Sequence, residues 1–426
     1  MNKKGEYEKM SYTIFEELES NVRSYSRTFP ISFSHAKKDI LIDVDGNKYI
    51  DFFAGAGAIN FGHNNPEIKK AILDYLAEDH IIHALDMFTS AKEEFLSTLN
   101  EKVLKPRNLN YKIMSCGPTG TNAVEAALKL ARKNKKRFNV FSFTGAFHGM
   151  SLGSLALTSN IFDRHGGGTP LNHVVFMPYF NAFKDPMTSI EYLENVLTDD
   201  HSGVEKPAAI VLETVQAEGG INVAPVEWLK AIRRLCDEHD ILMIVDDIQV
   251  GVGRTGAFFS FERAGIVPDM VILSKSISGF GLPLSLLLMK PELDIFEPAE
   301  HNGTFRGNQL GFVGCKKAME LYEKDNVDGM VAIKEKMIEE YLEKEILPIS
   351  EKISYRGIGM IWGIDFSNYD IDVVKAVQNK CVEKGLIIER AGRHGKVLKL
   401  LPSLYIEEDN LVKGLNIIKE SMQEVL

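Results

Sequence analysis

Four short apolar runs alternate along the chain with longer stretches in which apolar residues recur at helical spacing. The runs are Asn139–Phe143, Ala208–Glu213, Ile241–Asp246 and Met270–Ser274, all rich in Val and Ile. Unbroken apolarity over so few residues predicts strands buried on both faces. Between them, Trp228, Leu229, Ile232 and Leu235 mark one helix stripe. Strands and helices in alternation predict an α/β fold whose mostly parallel central sheet is covered by helices.

Upstream, Ile40–Phe53 alternates apolar and polar residues about Asp45-Gly46-Asn47 and predicts a hairpin. Tyr12–Ser26 mixes acidic and apolar residues as a docking arm would. Pro66–Glu78 and Thr89–Lys105 carry helical spacing, and Ile113-Met114-Ser115 leads through a glycine turn into a helix running to Lys133. The texture changes near Leu321. A charged helical region follows, Asp325–Glu345, then a strand pattern over Ile353–Phe366 broken by Gly357, Gly359 and Gly363. After a helix with Val374, Val377 and Cys381 on one face, Ile387, Leu398–Leu401, Leu404 and Ile406 predict further strands before a terminal helix. Three parts are therefore expected: an N-terminal arm and hairpin (1–60) that packs on the small domain or a partner, a large domain (61–320), and a small α+β domain (321–426).

Composition narrows the function. With 49 basic against 59 acidic residues the formal charge is -10, the wrong sign for a nucleic-acid binder. Cys116, Cys236, Cys315 and Cys381 include no Cys-x-x-Cys pair, so neither a metal knuckle nor a disulfide framework is indicated, and no metal is expected. No window approaches the roughly 20 apolar residues of a membrane span. A cytoplasmic protein acting on small molecules is the expectation.

The chemistry-bearing residues fall at strand ends, where ligands of parallel sheets sit. Met270–Pro283 reads MVILSKSISGFGLP, a buried strand that delivers Lys275 into a glycine-rich turn. A lysine so placed costs desolvation unless it has a task, and holding a carbonyl cofactor covalently is one. Glu213 and Asp246 close neighbouring strands. Thr119-Gly120-Thr121 opens a helix whose free N–H groups and positive dipole end suit a phosphate. Taken singly, each has a plain structural reading: a surface lysine, an ion-paired glutamate, an ordinary N-cap. Together, Lys275, Asp246, the threonine-glycine turn and Phe147 supply what pyridoxal phosphate requires: an amine for its aldehyde, a carboxylate for its ring nitrogen, a phosphate cradle and an aromatic face. The run Gly251-Val252-Gly253-Arg254-Thr255-Gly256 is not a dinucleotide fingerprint, because it does not open a helix directly after a strand.

These residues resemble the class III, fold-type-I aminotransferases. Ile244–Gln249, the following Gly-Val-Gly-Arg-Thr-Gly and Ser274–Pro283 look like that family's signature, and the likeness runs from Tyr12 to Ile406. The resemblance implies that Asp246 pairs with the pyridine nitrogen, Gln249 contacts the ring hydroxyl and Ile248 packs under the ring. It also implies that His148 and Glu213 belong to the cofactor site and that Thr304 reaches the phosphate of a neighbouring subunit. A homodimer with shared sites is then the smallest active unit. Asp51–Pro66, Gly117–Arg132, Phe147–Leu157, Trp228–Arg263 and Glu300–Gln309 are most similar to the branch that serves ectoine synthesis. That likeness implies transfer of an amino group from glutamate to aspartate 4-semialdehyde, giving 2,4-diaminobutyrate and 2-oxoglutarate.

Such a site meets a carboxylate near the cofactor in one half-reaction and none in the other. Many class III enzymes are similar in using an arginine masked by a glutamate. Glu218 stands at the masking position, but the arginine position reads Lys399 in Val397-Leu398-Lys399-Leu400-Leu401-Pro402. Lysine keeps the charge and loses the bidentate fork. Lys399 is the expected anchor, with Arg393 the alternative. The rival activities are those of other ω-aminotransferases (ornithine, GABA, polyamines), a diaminobutyrate enzyme serving siderophores, an aminomutase, and a cofactor-free binding module.

Overall fold

The computed structural model describes residues 14–426. Tyr12 and Thr13 of the expected arm lie outside the described residues; 14–18 are helical, and Ile14, Phe15 and Leu18 are exposed there. The chain then forms a one-turn helix, Tyr25–Thr28, and three antiparallel strands, β1 (Phe33–Lys37), β2 (Ile40–Asp43) and β3 (Lys48–Asp51). The β2–β3 turn is the one expected, with Gly46 at φ 86, a conformation that glycine adopts without steric cost.

β4 (Lys112–Gly117), β5 (Val140–Phe143), β6 (Val174–Met177) and β7 (Ala209–Leu212) enter the central sheet, followed by a short ladder of β8 (Val215–Gln216) and β9 (Asn222–Val223). β10 (Leu242–Asp246), β11 (Met270–Leu273) and β12 (Ser285–Met289) complete a seven-stranded sheet in the order β4-β12-β11-β10-β7-β5-β6. β12 runs antiparallel between β4 and β11, and the other neighbours pair in parallel. β11 explains the unbroken apolar run. Val271 and Leu273 face one core cluster with Trp228 and Leu229, whereas Met270 and Ile272 face a second with Val124 and Leu128 of the helix Gly120–Lys135. Each such fully buried side chain contributes roughly 1.5–3 kcal/mol of transfer free energy.

The C-terminal strands are β13 (Ser354–Ile358), β14 (Ile361–Asp365), β15 (Leu386–Ile387), β16 (Glu389–Ala391) and β17 (Val397–Leu400). β13-β14-β17-β16 form an antiparallel sheet, while β15 leaves it to pair in parallel with β3. The glycines of 353–366 do not break the strand pattern; the chain turns at Gly359 between β13 and β14. Leu404 and Ile406, by contrast, are not in a strand. They belong to a buried turn, in which the Leu404 amide donates to the Asn60 carbonyl at 2.8 Å and Lys334 Nζ donates to the Leu404 carbonyl at 2.7 Å. Their apolar spacing reflects burial of that turn, not a ladder.

The rejected Gly-x-Gly run has a structural task. Arg254 is fully buried and donates to the backbone carbonyls of Met360 and Pro402 and to Asn60 Oδ1. Burial lowers its guanidinium to about 9, with Asp51 opposing. One side chain thereby ties the loop after β10 to the C-terminal sheet and to the start of the chain.

Candidate active site

β7, β10 and β11 run in parallel, so Glu213, Asp246 and Lys275, which end or follow them, emerge on one edge of the sheet. They line a cavity of about 160 Å³ with Gly120, Thr121, Phe147, His148, Glu218, Ile248 and Gln249. Ser274 Oγ donates to the Leu284 carbonyl at 2.8 Å and fixes the strand end; Lys275 follows with φ 50. Left-handed backbone at a non-glycine residue costs roughly 1–3 kcal/mol and is held here by the packed turn Lys275–Ser278. Burial lowers the Lys275 amine, an effect partly offset by Glu218.

Asp246 is held from two sides. Its Oδ1 accepts from the Ile248 amide at 3.1 Å and its Oδ2 lies 2.8 Å from His148 Nδ1. His148 is buried, which disfavours its charge, but Asp246 outweighs burial and raises its pKa. Glu213 Oε1 accepts from the Phe147 amide at 3.0 Å, and burial pushes its carboxyl up to about 8 against the opposing pull of His148. Two buried polar atoms of cavity residues, His148 Nε2 and Gln249 Oε1, have no hydrogen-bond partner among the described residues.

The residues fit pyridoxal phosphate. At the mouth of the helix Gly120–Lys135, a Cβ on Gly120 would stand 2.6 Å from Ile248 Cδ1, so glycine lets the helix mouth and Ile248 meet at the cavity wall. Thr119 is exposed and serves the helix as a cap, its amide and Oγ1 reaching Asn122 Oδ1 at 3.1 and 2.8 Å. Thr121 Oγ1 lies 2.5 Å from Ser151 Oγ. Thr304 stands on an exposed turn and does not line this cavity.

Glu218 leads from the cavity to a second group of charges. Lys399 is fully buried, with its Nζ 2.7 Å from Glu218 Oε1 and 2.8 Å from Glu389 Oε2. Burial alone would raise Glu218, but Lys399, with Lys275 beyond, holds it well below the usual carboxylate range. The same two carboxylates outweigh burial at Lys399 and raise its pKa. Glu389 is raised by burial despite Lys399. Glu389 was not among the sequence candidates, although an acid closing the apolar run Leu386-Ile387-Ile388 is the signal that marked Glu213 and Asp246. Arg393 is exposed on the turn Arg393–Gly395, at the rim of an outer cavity of about 720 Å³ that shares Phe147 and Glu218 with the inner one.

A mostly parallel sheet with a buried lysine, an aspartate held by histidine and a helix mouth is the architecture of a fold-type-I transferase. The chain belongs to the class III aminotransferases: the family profile described as Aminotransferase class-III matches residues 22–422. The chain is 51% identical over 419 residues to a diaminobutyrate–2-oxoglutarate transaminase of Bordetella parapertussis, covering 98% of this chain and 96% of the relative. A diaminobutyrate–2-oxoglutarate transaminase of Sporosarcina pasteurii is 52% identical over 420 residues, with 98% of both chains covered. In fold, the chain superposes on the ornithine aminotransferase of Toxoplasma gondii with TM-score 0.85 at 23% identity, over 98% of this chain and 94% of that one. An S-selective transaminase from Arthrobacter sp. gives 0.87 at 20% identity, over 100% and 98%.

Proposed function

We propose that this enzyme exchanges an amino group between L-glutamate and L-aspartate 4-semialdehyde, forming L-2,4-diaminobutyrate and 2-oxoglutarate by ping-pong transamination. The observation that carries this reading is the cation Lys399, masked by Glu218 beside the cavity that holds Lys275. Relatives at half identity over nearly the whole chain bear the name of that activity.

Bound in the inner cavity, pyridoxal phosphate supplies an electron sink for the carbon that carries the transferred amine. Lys275 would hold the cofactor through its amine, and the same amine would carry the proton to and from that carbon. Burial lowers its pKa, the direction that favours a nucleophilic amine. Asp246, held by His148 and the Ile248 amide, keeps the ring nitrogen protonated. Thr119, Gly120 and Thr121 at the helix mouth would hold the phosphate, Phe147 and Ile248 would pack against the ring, and Gln249 would serve its hydroxyl. Glutamate docks its distant carboxylate to the enzyme and its α-carboxylate on Lys399, displacing Glu218. With diaminobutyrate Glu218 stays on Lys399, and the α-carboxylate and α-ammonium face Arg393 and Asp163 in the outer cavity, whose lining offers both signs of charge.

A homodimer with shared sites belongs to the same reading. Ile81, Ile82, Leu85, Met87, Phe88 and Phe305 are large exposed apolar residues, and Phe305 adjoins Thr304. The His83 and Phe305 rings, 5.4 Å apart, join the two segments into one patch. Supply of diaminobutyrate for ectoine synthesis in the cytoplasm is the expected physiological role; among the described residues no helix is long and apolar enough to cross a membrane. The three-part division at residues 60 and 320 is likewise proposed, supported by the hairpin's strand sharing with β15.

The test is to offer diaminobutyrate, ornithine, GABA and putrescine separately with 2-oxoglutarate and measure the glutamate formed. Diaminobutyrate is expected to be preferred at least tenfold. Equal turnover of all four would sink the substrate assignment, and turnover without 2-oxoglutarate would favour an aminomutase. Lys275→Ala is the control, expected to lose transfer by several orders of magnitude and to lack the visible absorption of a lysine-bound cofactor.

A further inference from the structure

Glu389 and Lys399 are directly opposite each other in the antiparallel pair β16–β17. Glu218 approaches the same ammonium from the turn between β8 and β9, so two carboxylates share one buried cation. Lys275 acts on both carboxylates from the turn after β11, and Tyr25 faces Glu389 from the N-terminal segment. Arg390 turns the other way, its Nε donating to Gln378 Oε1 at 2.7 Å. With Lys275 committed to the cofactor, Lys399 is the cation in direct contact with both Glu218 and Glu389.

Docking a substrate carboxylate on Lys399 brings a third anion to this place. Separating three carboxylates around one lysine is not open to Glu389, which is fixed by its strand register and whose side chain is 11% exposed; that of Glu218 is 29% exposed and can turn into the cavity. The remaining way to remove the excess charge is to neutralise one carboxylate, and burial favours the neutral form at the less exposed one.

We propose that Glu389 takes up a proton from solvent when a substrate carboxylate replaces Glu218 on Lys399, and returns it when Glu218 comes back. This rests on Lys399 being the carboxylate anchor. Glu389 acts through Lys399 and is a positioning residue; its carboxylate becomes a carboxylic acid and no other bond changes. The site then keeps the same charge whether it is masked or occupied, which allows one pocket to alternate between a substrate with a carboxylate beside the cofactor and one without.

The probe is glutarate, a dicarboxylate with neither amine nor ketone, bound to the cofactor-loaded enzyme. Calorimetry at pH 7.5 in buffers of different ionisation enthalpy counts the protons exchanged. Uptake approaching one proton is expected, with the dissociation constant rising about tenfold per pH unit above neutrality. Glu389→Gln is expected to bind glutarate with no uptake and a flat pH profile. No uptake by the unmodified enzyme, or equal uptake by Glu389→Gln, overturns the proposal. A double variant, Lys399→Met with Glu389→Gln, separates the two readings. If it still binds glutarate as tightly, Lys399 is not the anchor and both fall; if binding is lost but the unmodified enzyme takes up no proton, the role of Glu389 alone falls.

Discussion

Glu213 shows how burial sets charge in this cavity. Its carboxyl is held up to about 8, whereas an unfolded glutamate titrates near ~4.3. Between those values the folded protein holds one more proton than the unfolded chain, so this residue makes stability fall as pH rises through the window. Glu213→Gln removes that term. Melting temperatures recorded from pH 5 to 8.5 are expected to decline less steeply in the variant, and an unchanged slope would contradict the assignment. The same residue illustrates what a sequence conveys about single sites. Glu213, Asp246 and Lys275 were legible because each terminates an apolar run, and strand ends are where a parallel sheet presents its ligands. Glu389 terminates a similar run but owes its importance to register: only the pairing of β16 with β17 sets it opposite Lys399. Cross-strand partners ten residues apart through an irregular turn leave no local pattern.

At the scale of elements, the turn Thr119–Thr121 was legible as a helix cap, and a cap is what Thr119 makes. What the local pattern could not convey is the clearance at Gly120, which depends on Ile248 arriving from the loop after β10. Gly120→Ala forces the Ile248 side chain to shift within the cavity that the proposed cofactor occupies. The cofactor dissociation constant is expected to rise roughly tenfold, about 1.4 kcal/mol, with the melting temperature of the cofactor-free protein little changed. Equilibrium dialysis against pyridoxal phosphate measures the first and calorimetry the second; undiminished affinity would show that the clearance is immaterial. β6 and β12 escaped the sequence pattern for different reasons. Val174–Met177 is a sheet-edge strand, only partly buried and set among polar and glycine-rich residues, and Ser285–Met289 follows so closely on the lysine turn that it reads as its continuation.

Across the whole molecule, the mostly parallel α/β sheet was legible from alternation alone, because burial on both faces leaves strands without a polar side. The expectation of a homodimer rests on the family resemblance alone. The patch around Phe88 and Phe305 makes it testable: Phe88→Asp is expected to shift the mass in analytical ultracentrifugation from dimer to monomer and to reduce retained cofactor. An unchanged mass would locate the interface elsewhere. The hairpin and the strands around Ile387 and Leu398 could be recognised singly, but not the link between Ile50 of β3 and Leu386 of β15.

That link sets an order of events during synthesis. At about 5–20 residues per second, Leu386 leaves the ribosome roughly 17–70 s after Ile50. For that interval β3 has a partner on one side only, and its other edge presents unpaired N–H and C=O groups beside apolar Ile50 and Phe52. The nascent hairpin is therefore an open template for strand addition until translation is nearly finished, and a chaperone that shields extended segments has that whole interval in which to act on it.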